Sequence, residues 1–179
     1  MARELDKNQP TLVKTIVDIR NKVNPPLPKT YFGNALASTV TSTCCVGDII
    51  KERVSYGAQR IREAVERASN EEYIRSQLEF VARQEQMDMI RTQFLEKGEY
   101  RADVSFGNPN IMLGSWLRMP MYDADFGWGK PDYFGPGGVC PFDNGIIAPT
   151  PHGDGSIVIF MYFQMAHMKN FIKLFWHNL

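Results

Sequence analysis

The first part of the chain combines apolar patterns typical of strands with a proline-rich connector. Residues 11–19 are rich in β-branched and apolar side chains and predict a strand. Residues 31–43 predict a second strand, in which Gly33 marks a bulge or a close approach of the backbone. The prolines within residues 24–28 predict a stiff, extended connection between the two strands.

A helical pattern begins after Gly47-Asp48. Apolar residues at 61, 64, 65 and 68 share one face, and the arginines and glutamates take the other face, where Arg62–Glu66 and Glu63–Arg67 are predicted as i,i+4 ion pairs. The spacing from Ser69 to Glu72 is that of a capping box, so a second helix is predicted from there to Val81. A third short helix is predicted around residues 87–94.

Glycine and proline become frequent after residue 107, and two further strands are predicted between the turns. They cover residues 111–119 and 156–164, and the apolar run inside the second is typical of a strand buried on both faces. Residues 168–175 predict an amphipathic helix. The order of elements predicts an α/β fold, a mixed β-sheet flanked by helices.

Composition narrows the function classes without selecting one. The 179 residues carry 20 basic and 20 acidic side chains. This balance lacks the excess of positive charge that is typical of nucleic-acid-binding proteins, so that class is not favoured. Three cysteines, Cys44, Cys45 and Cys140, form neither a disulfide framework nor a metal-ligand spacing. No apolar stretch is long enough for a membrane span and the first residues are too polar for a signal peptide, so the expected location is cytoplasmic.

The chain contains no complete catalytic motif. His152, His167 and His177 lack partners at metal-ligand spacing, and none begins a His-x-x-x-Asp sequence. Each is interpreted as a surface or capping histidine. The glycine-rich stretch at residues 135–138 lacks the Lys-Ser/Thr of a phosphate loop.

Four polar or aromatic positions have two interpretations each. Arg20 and Lys22, beside the stiff connector, could contact a phosphate or remain solvated. Trp116 could direct its indole N–H into a cavity or simply fill the core. Arg101 could bind a carboxylate or lie exposed.

The stretch Asp125-Phe126-Gly127-Trp128-Gly129 predicts a tight turn. Gly127 and Gly129 can adopt backbone angles that other residues avoid, and the two aromatic residues are expected to anchor the turn by packing. A structural turn is favoured here over a ligand contact.

That same stretch resembles the signature of the plant BAHD acyltransferases, which transfer acyl groups from coenzyme A thioesters. Further motifs follow in family order over nearly the whole chain. They are Asn24-Pro25-Pro26-Leu27-Pro28, Tyr31-Phe32-Gly33-Asn34, Gly47-Asp48, Ser55-Tyr56-Gly57-Ala58, Asn108-Pro109-Asn110, Ser115-Trp116, Gly135-Pro136-Gly137, Asp154-Gly155-Ser156 and His167-Met168. The branch most similar to this chain is that of the hydroxycinnamoyl-CoA transferases acting on shikimate, quinate or spermidine.

The resemblance implies one half of a two-domain, chloramphenicol acetyltransferase-like fold. Residues 1–30 would form the first strand and the crossover connector, and residues 31–179 the C-terminal acyltransferase domain. The His-x-x-x-Asp motif, whose histidine is the general base, belongs to an N-terminal domain that this sequence lacks. The chain alone is therefore expected to be inactive and to need that domain as its partner.

The resemblance also assigns roles to individual residues. Trp116 and Ser115 would line the acyl pocket and steady the oxyanion. Arg101 would bind an acceptor carboxylate, with Asp103 suited instead to a polyamine. Arg20 and Lys22 would lie near the phosphates of coenzyme A, and Asp125 would be structural, paired with an arginine. Hydroxycinnamoyl-CoA is expected as a substrate, with no bound cofactor or metal. The alternative is a non-catalytic remnant that binds acyl-CoA or a partner.

Overall fold

The computed structural model describes residues 5–83, 109–138 and 143–177. The strands in these ranges are β1 (Pro10–Thr11), β2 (Val13–Asp18), β3 (Leu36–Val40), β4 (Cys44–Cys45), β5 (Ile111–Ser115), β6 (Asn144–Pro149) and β7 (Ile157–Tyr162). The helices are α1 (Val46–Lys51), α2 (Val54–Ala68), α3 (Glu71–Ala82) and α4 (Met165–His177), with a 3₁₀ turn at Met121–Asp123.

Five strands form one mixed sheet in the order β3-β2-β5-β6-β7, and β1 pairs separately with β4. The pairs β2–β5 and β5–β6 are parallel, whereas β2–β3 and β6–β7 are antiparallel. Because β2, β5 and β6 run in the same direction, their carboxyl ends meet at one edge of the sheet. The predicted mixed sheet with helices is confirmed.

The core lies where α2 and α3 cover β2 and β3. Ile19, Ala37, Ala68 and Ile74 form the buried cluster there. Small alanines on the strand and the helix permit close approach, which favours a dense contact. The packing of α2 and α3 on the sheet therefore holds β2 and the connector that follows it in place.

The polar face of α2 differs from the predicted pattern of i,i+4 ion pairs. Arg67 donates from Nη2 to the carbonyl oxygen of Val40 and to Thr39 Oγ1, and Arg60 reaches the carbonyl oxygen of Ser42. Glu63 accepts a hydrogen bond from Gln59 Nε2. Both arginines thus join the helix to the end of β3, a long-range use that local spacing does not reveal.

The start of α3 lies one residue later than the predicted capping box. Asn70, not Ser69, is the N-cap, and its Oδ1 accepts from the N–H groups of Glu72 and Tyr73 at 2.9 and 3.2 Å. From this helix Tyr73 and Gln77 donate to the carbonyl oxygen of Ser38, and Gln77 also accepts from the Ser38 N–H. These side chains therefore satisfy the hydrogen-bonding groups of the Ser38 backbone on the outer edge of β3.

Two predicted strands are shorter in the structure. β3 begins at Leu36, so Gly33 lies in the preceding loop and is not a bulge. The alternative prediction of a close approach agrees with the structure, because a Cβ on Gly33 would lie 2.9 Å from Tyr31 Oη. β5 ends at Ser115 instead of residue 119, although the Trp116 N–H still donates to the carbonyl oxygen of Ile147 at 2.7 Å. The third predicted helix, at residues 87–94, lies outside the described residues.

β6 was not predicted at all. Its sequence contains Gly145 and ends in Pro149, two residues that lower strand propensity. The structure explains the glycine, because a Cβ on Gly145 would lie 2.7 Å from Met161 Sδ and 2.8 Å from Leu113 Cδ2. A side chain at this position would therefore displace the ends of the Met161 and Leu113 side chains.

The last strand and helix are more exposed than predicted. β7 lies at the edge of the sheet, and Ile157 and Ile159 remain 52% and 38% exposed, so burial on both faces was wrong. α4 stacks Phe171 and Phe175 behind Phe163, but none of its residues is fully buried. Among the described helices, none is both long and apolar enough to cross a bilayer.

Candidate functional site

The connector after β2 places Arg20 and Lys22 at the carboxyl edge of the sheet. Arg20 donates from Nη1 to Asp18 Oδ1 at 3.0 Å and from Nη2 to the carbonyl oxygen of Gly33 at 2.7 Å. These two bonds fasten the beginning of the connector to its end. Lys22 is exposed. Arg20 thus has a structural task in this fold, while the Lys22 ammonium faces solvent.

Ser115 and Trp116 lie at the same edge, at the end of the neighbouring parallel strand β5. The Ser115 side chain is exposed and Trp116 is half-buried. The Trp116 ring meets Phe134 edge-to-face, with 5.8 Å between ring centroids. The Phe134 N–H in turn donates to the hydroxyl of Tyr122 at 3.2 Å. Trp116 is therefore held by the long loop that follows it.

Within that loop, residues 125–129 form the predicted tight turn. Gly127 and Gly129 have φ angles of +101° and +104°, and the predicted need for glycine is confirmed. Asp125 Oδ1 accepts from both glycine N–H groups, at 2.8 and 3.1 Å. However, Phe126 and Trp128 are 78% and 87% exposed, so the expectation that they anchor the turn by packing was wrong for the described part of the chain.

Asp125 stays ionised to low pH for a local reason. The N–H groups of Gly127 and Gly129 lower the pKa of its carboxyl group, and the nearby Lys130 ammonium adds a smaller effect in the same direction. The hydrogen-bond partners given to this carboxylate by the described residues are backbone N–H groups, not the expected arginine. Its structural assignment stays a prediction.

A second acid-glycine turn follows β6 at the same edge. Gly153 and Gly155 have φ angles of +65° and +86°, and Asp154 Oδ1 accepts from the Ser156 N–H at 2.9 Å. This backbone hydrogen bond, followed by one from the Ser156 hydroxyl, lowers the pKa of Asp154. The loops after β2, β5 and β6 thus bring a cation, an indole and a carboxylate to one edge, where ligands of open α/β sheets commonly bind.

The histidines do not form a catalytic pair within the ranges described. His152 lies exposed beside Asp154, and His177 is exposed near the chain end. His167 is half-buried at the start of α4, where its Nδ1 has no partner among the described residues. Across those same residues no group of His, Cys, Asp and Glu could hold a metal ion.

Arg101 and Asp103, the predicted acceptor ligands, lie outside the described residues. Sequence reasoning in turn overlooked a pair on α2, Tyr56 and Arg60, which lie one helical turn apart. The Arg60 guanidinium donates to the Tyr56 hydroxyl at 2.6 Å and lies 4.5 Å from its ring centroid. The i,i+4 spacing of an aromatic residue and an arginine was the available signal.

Comparison with known proteins places the chain in a family. The profile of the Transferase family matches residues 1–177. A shikimate O-hydroxycinnamoyltransferase of Nicotiana tabacum is 36% identical over 97% of this chain, and a hydroxycinnamoyltransferase of Narcissus pseudonarcissus is 37% identical over 97%. The chain spans only 37% and 38% of the lengths of these two relatives.

Solved structures agree on the fold. Vinorine synthase superposes with a TM-score of 0.60 at 18% identity, covering 92% of this chain and 34% of the other. The TRI101 protein of F. sporotrichioides, solved with coenzyme A and T-2, gives a TM-score of 0.69 at 19% identity over 91% of this chain and 38% of its own. With the family profile extending over almost the whole sequence, the chain belongs to the Transferase family of BAHD acyltransferases.

Proposed function

We propose that this chain is the C-terminal half of an enzyme that moves a hydroxycinnamoyl group from coenzyme A to an alcohol or amine acceptor. The observation that carries the proposal is the match to hydroxycinnamoyltransferases over 97% of the chain but only about 37% of their length. Residues 1–30 would supply the first strand and the crossover, and residues 31–179 the C-terminal domain.

The carboxyl edge of the sheet supports a binding role for the donor. In this proposal Lys22, which is exposed, meets the phosphates of coenzyme A, and Arg20 orients the connector that presents it. An ammonium on a flexible stem suits a phosphate as a point charge. In this proposal the coenzyme A thioester is a substrate, and the reaction uses no prosthetic group.

Trp116 and Ser115 would form the wall beside the reacting carbonyl. Trp116 packs edge-to-face against Phe134, and the Ser115 hydroxyl is exposed and able to donate. A donor held near the carbonyl oxygen would stabilise the negative charge that develops during attack. Arg101 would bind an acceptor carboxylate of the shikimate or quinate type, whereas Asp103 would favour a polyamine such as spermidine.

The proton acceptor would come from a first domain carrying the His-x-x-x-Asp motif. That histidine would remove the proton from the acceptor hydroxyl or amine as it attacks the thioester carbonyl, and coenzyme A would leave as the thiol. The exposed apolar side chains of β7 and α4, among them Ile157, Ile159 and Trp176, provide a surface for such a domain.

The acceptor can be identified by competition. We would mix the purified chain with a separately expressed first domain of the tobacco relative, add p-coumaroyl-CoA, and offer shikimate, quinate and spermidine together. Mass spectrometry should detect one dominant ester or amide. Formation of none of the three products would overturn the proposal and favour a non-catalytic protein that binds acyl-CoA or a partner.

Two substitutions in the same competition experiment test which residues bind the acceptor. Arg101→Gln should reduce an ester of shikimate or quinate by about tenfold or more and leave a spermidine amide unchanged. Asp103→Asn should have the opposite selectivity. If neither substitution altered the product ratio, the assignment of these two residues to the acceptor would be wrong.

A further inference from the structure

An apolar cavity of about 260 Å³ lies between the first two helices and the sheet, away from the carboxyl edge. Aliphatic side chains make up most of its lining. They are Leu5, Leu12, Val13, Val46, Ile49, Ile61 and Ile111. A preformed apolar space of this kind is the usual setting for binding a small organic molecule.

The polar groups along the wall are almost all paired. Thr11 Oγ1 donates to the carbonyl oxygen of Pro109 at 2.8 Å, and Thr41 Oγ1 accepts from the Val13 N–H at 3.0 Å. Cys44 directs its Sγ toward the carbonyl oxygen of Thr11 at 3.8 Å. Burial raises the pKa of the Cys44 thiol despite the opposing effect of Arg60, so this wall residue stays neutral.

Arg60 is the exception. Its Nη1 and Nη2 donate to the carbonyl oxygen of Ser42 and to the Tyr56 hydroxyl, at 3.3 and 2.6 Å, and its guanidinium lies against the Tyr56 ring. Its Nε is buried and has no acceptor in the part of the chain that the structure describes. A buried N–H of a charged group without an acceptor is costly. Each Nη of the guanidinium also carries a second N–H, and an anionic oxygen is its preferred acceptor.

Arg60 also marks the boundary between two spaces. A polar groove of about 400 Å³, lined by Ser42, Thr43, Gln59 and Glu63, shares Tyr56 and Arg60 with the apolar cavity. The Glu63 carboxylate in that groove already accepts from Gln59 Nε2 at 3.0 Å. A ligand at this boundary therefore meets aliphatic side chains on one side and a cation at its polar end.

From this arrangement we propose a second ligand site, in which the apolar cavity binds the body of a small arylalkyl or alkyl carboxylic acid and the Arg60 guanidinium binds its carboxylate. The size is suitable, because an apolar cavity of about 150 Å³ holds a benzene ring and this one adds room for a short chain. The site does not depend on the acyl-transfer proposal, because none of the residues assigned to donor or acceptor lines the cavity.

A matched pair of probes tests the site on the intact chain. Calorimetric titration with 3-phenylpropanoate and with 3-phenylpropan-1-ol compares one skeleton with and without the carboxylate. We expect the acid to bind about tenfold more tightly than the alcohol. Arg60→Met keeps a long side chain and should abolish that preference while leaving the alcohol affinity unchanged.

Filling the cavity provides the second arm. Gly57 lines the cavity, and a Cβ added there meets no atom within 4 Å. Gly57→Leu should therefore fold, favoured by higher helix propensity, and should lose binding of both probes. Gly137→Leu, at a glycine with equal space outside the cavity, is the control and should bind as the wild type does.

Three results would overturn the proposed site. They are absence of binding by the wild-type chain, equal affinity for acid and alcohol, and an acid preference that survives Arg60→Met. Thermal unfolding of each variant establishes that it is folded before titration. Binding retained by folded Gly57→Leu would likewise place the probes elsewhere and contradict the assignment.

Discussion

Asp125 organises its turn through a single carboxylate oxygen, which accepts from the N–H groups of Gly127 and Gly129. The sequence identified the acid and the glycines because their roles depend on local backbone geometry. It could not identify the exposure of Phe126 and Trp128, because burial depends on what lies opposite them in space. Backbone hydrogen bonding and positive φ angles thus account for the acid and the two glycines of this turn.

The pH dependence of this turn follows from the direction of the Asp125 shift. The pKa of Asp125 in the folded state is lowered from 3.8. The ionised carboxylate therefore stabilises the fold above pH 3.8, and this stabilisation is lost as the pH falls through the folded-state pKa. The amide NMR signals of Gly127 and Gly129 should therefore titrate together below pH 3.8. Asp125→Asn keeps an oxygen acceptor without this ionisation and should remove the titration. A midpoint above 3.8 would contradict the predicted direction.

At the scale of elements, local patterns predicted the helices better than the strands. α2 and α3 follow from apolar residues at helical spacing, and α3 ends one residue after the predicted Val81. β6 was missed because Gly145 and Pro149 lower strand propensity, and the packing of Met161 and Leu113 from other strands against Gly145 is a contact that no local pattern records. Likewise, the bond from Arg20 to Gly33 joins residues whose proximity arises only when the connector folds back.

The start of α3 gives a direct test of the helix assignment. Asn70→Ala removes the acceptor for two N–H groups and should destabilise the protein by about 1 kcal/mol in urea unfolding. Ser69→Ala is the control, since the Ser69 hydroxyl donates to the carbonyl oxygen of Val65 in the preceding helix. Its effect should be smaller. A larger loss of unfolding free energy for Ser69→Ala than for Asn70→Ala would show that Ser69 is the N-cap, as the sequence predicted.

On the scale of the molecule, the two edges of the sheet differ. On the outer edge of β3, Tyr73 and Gln77 form hydrogen bonds with the backbone. On the opposite edge, β7 carries the exposed side chains of Ile157 and Ile159. An exposed apolar edge strand is a ready site for association, and most proteins protect such edges. This asymmetry suggests β7 and its surroundings as the surface that would meet the proposed first domain.

Ile159→Lys tests that surface. The side chain is 38% exposed, so the isolated chain should keep nearly its wild-type stability, while its affinity for the first domain should fall about tenfold because an apolar contact is lost. Leu78→Lys, at a 58% exposed position on α3, is the matched control and should leave the affinity unchanged. Equal affinities of wild type and Ile159→Lys, measured by calorimetry, would exclude β7 from the interface.

The most direct test of the account is thioester turnover with and without the proposed first domain. Release of coenzyme A from p-coumaroyl-CoA, in the presence of the acceptor found by competition, would be measured for the chain alone, for the mixture, and for a mixture whose first domain has its motif histidine replaced by alanine. We predict turnover only in the unmodified mixture, because in this proposal the general base is supplied by the first domain. Turnover by the chain alone, or by the mixture lacking that histidine, would contradict the central claim.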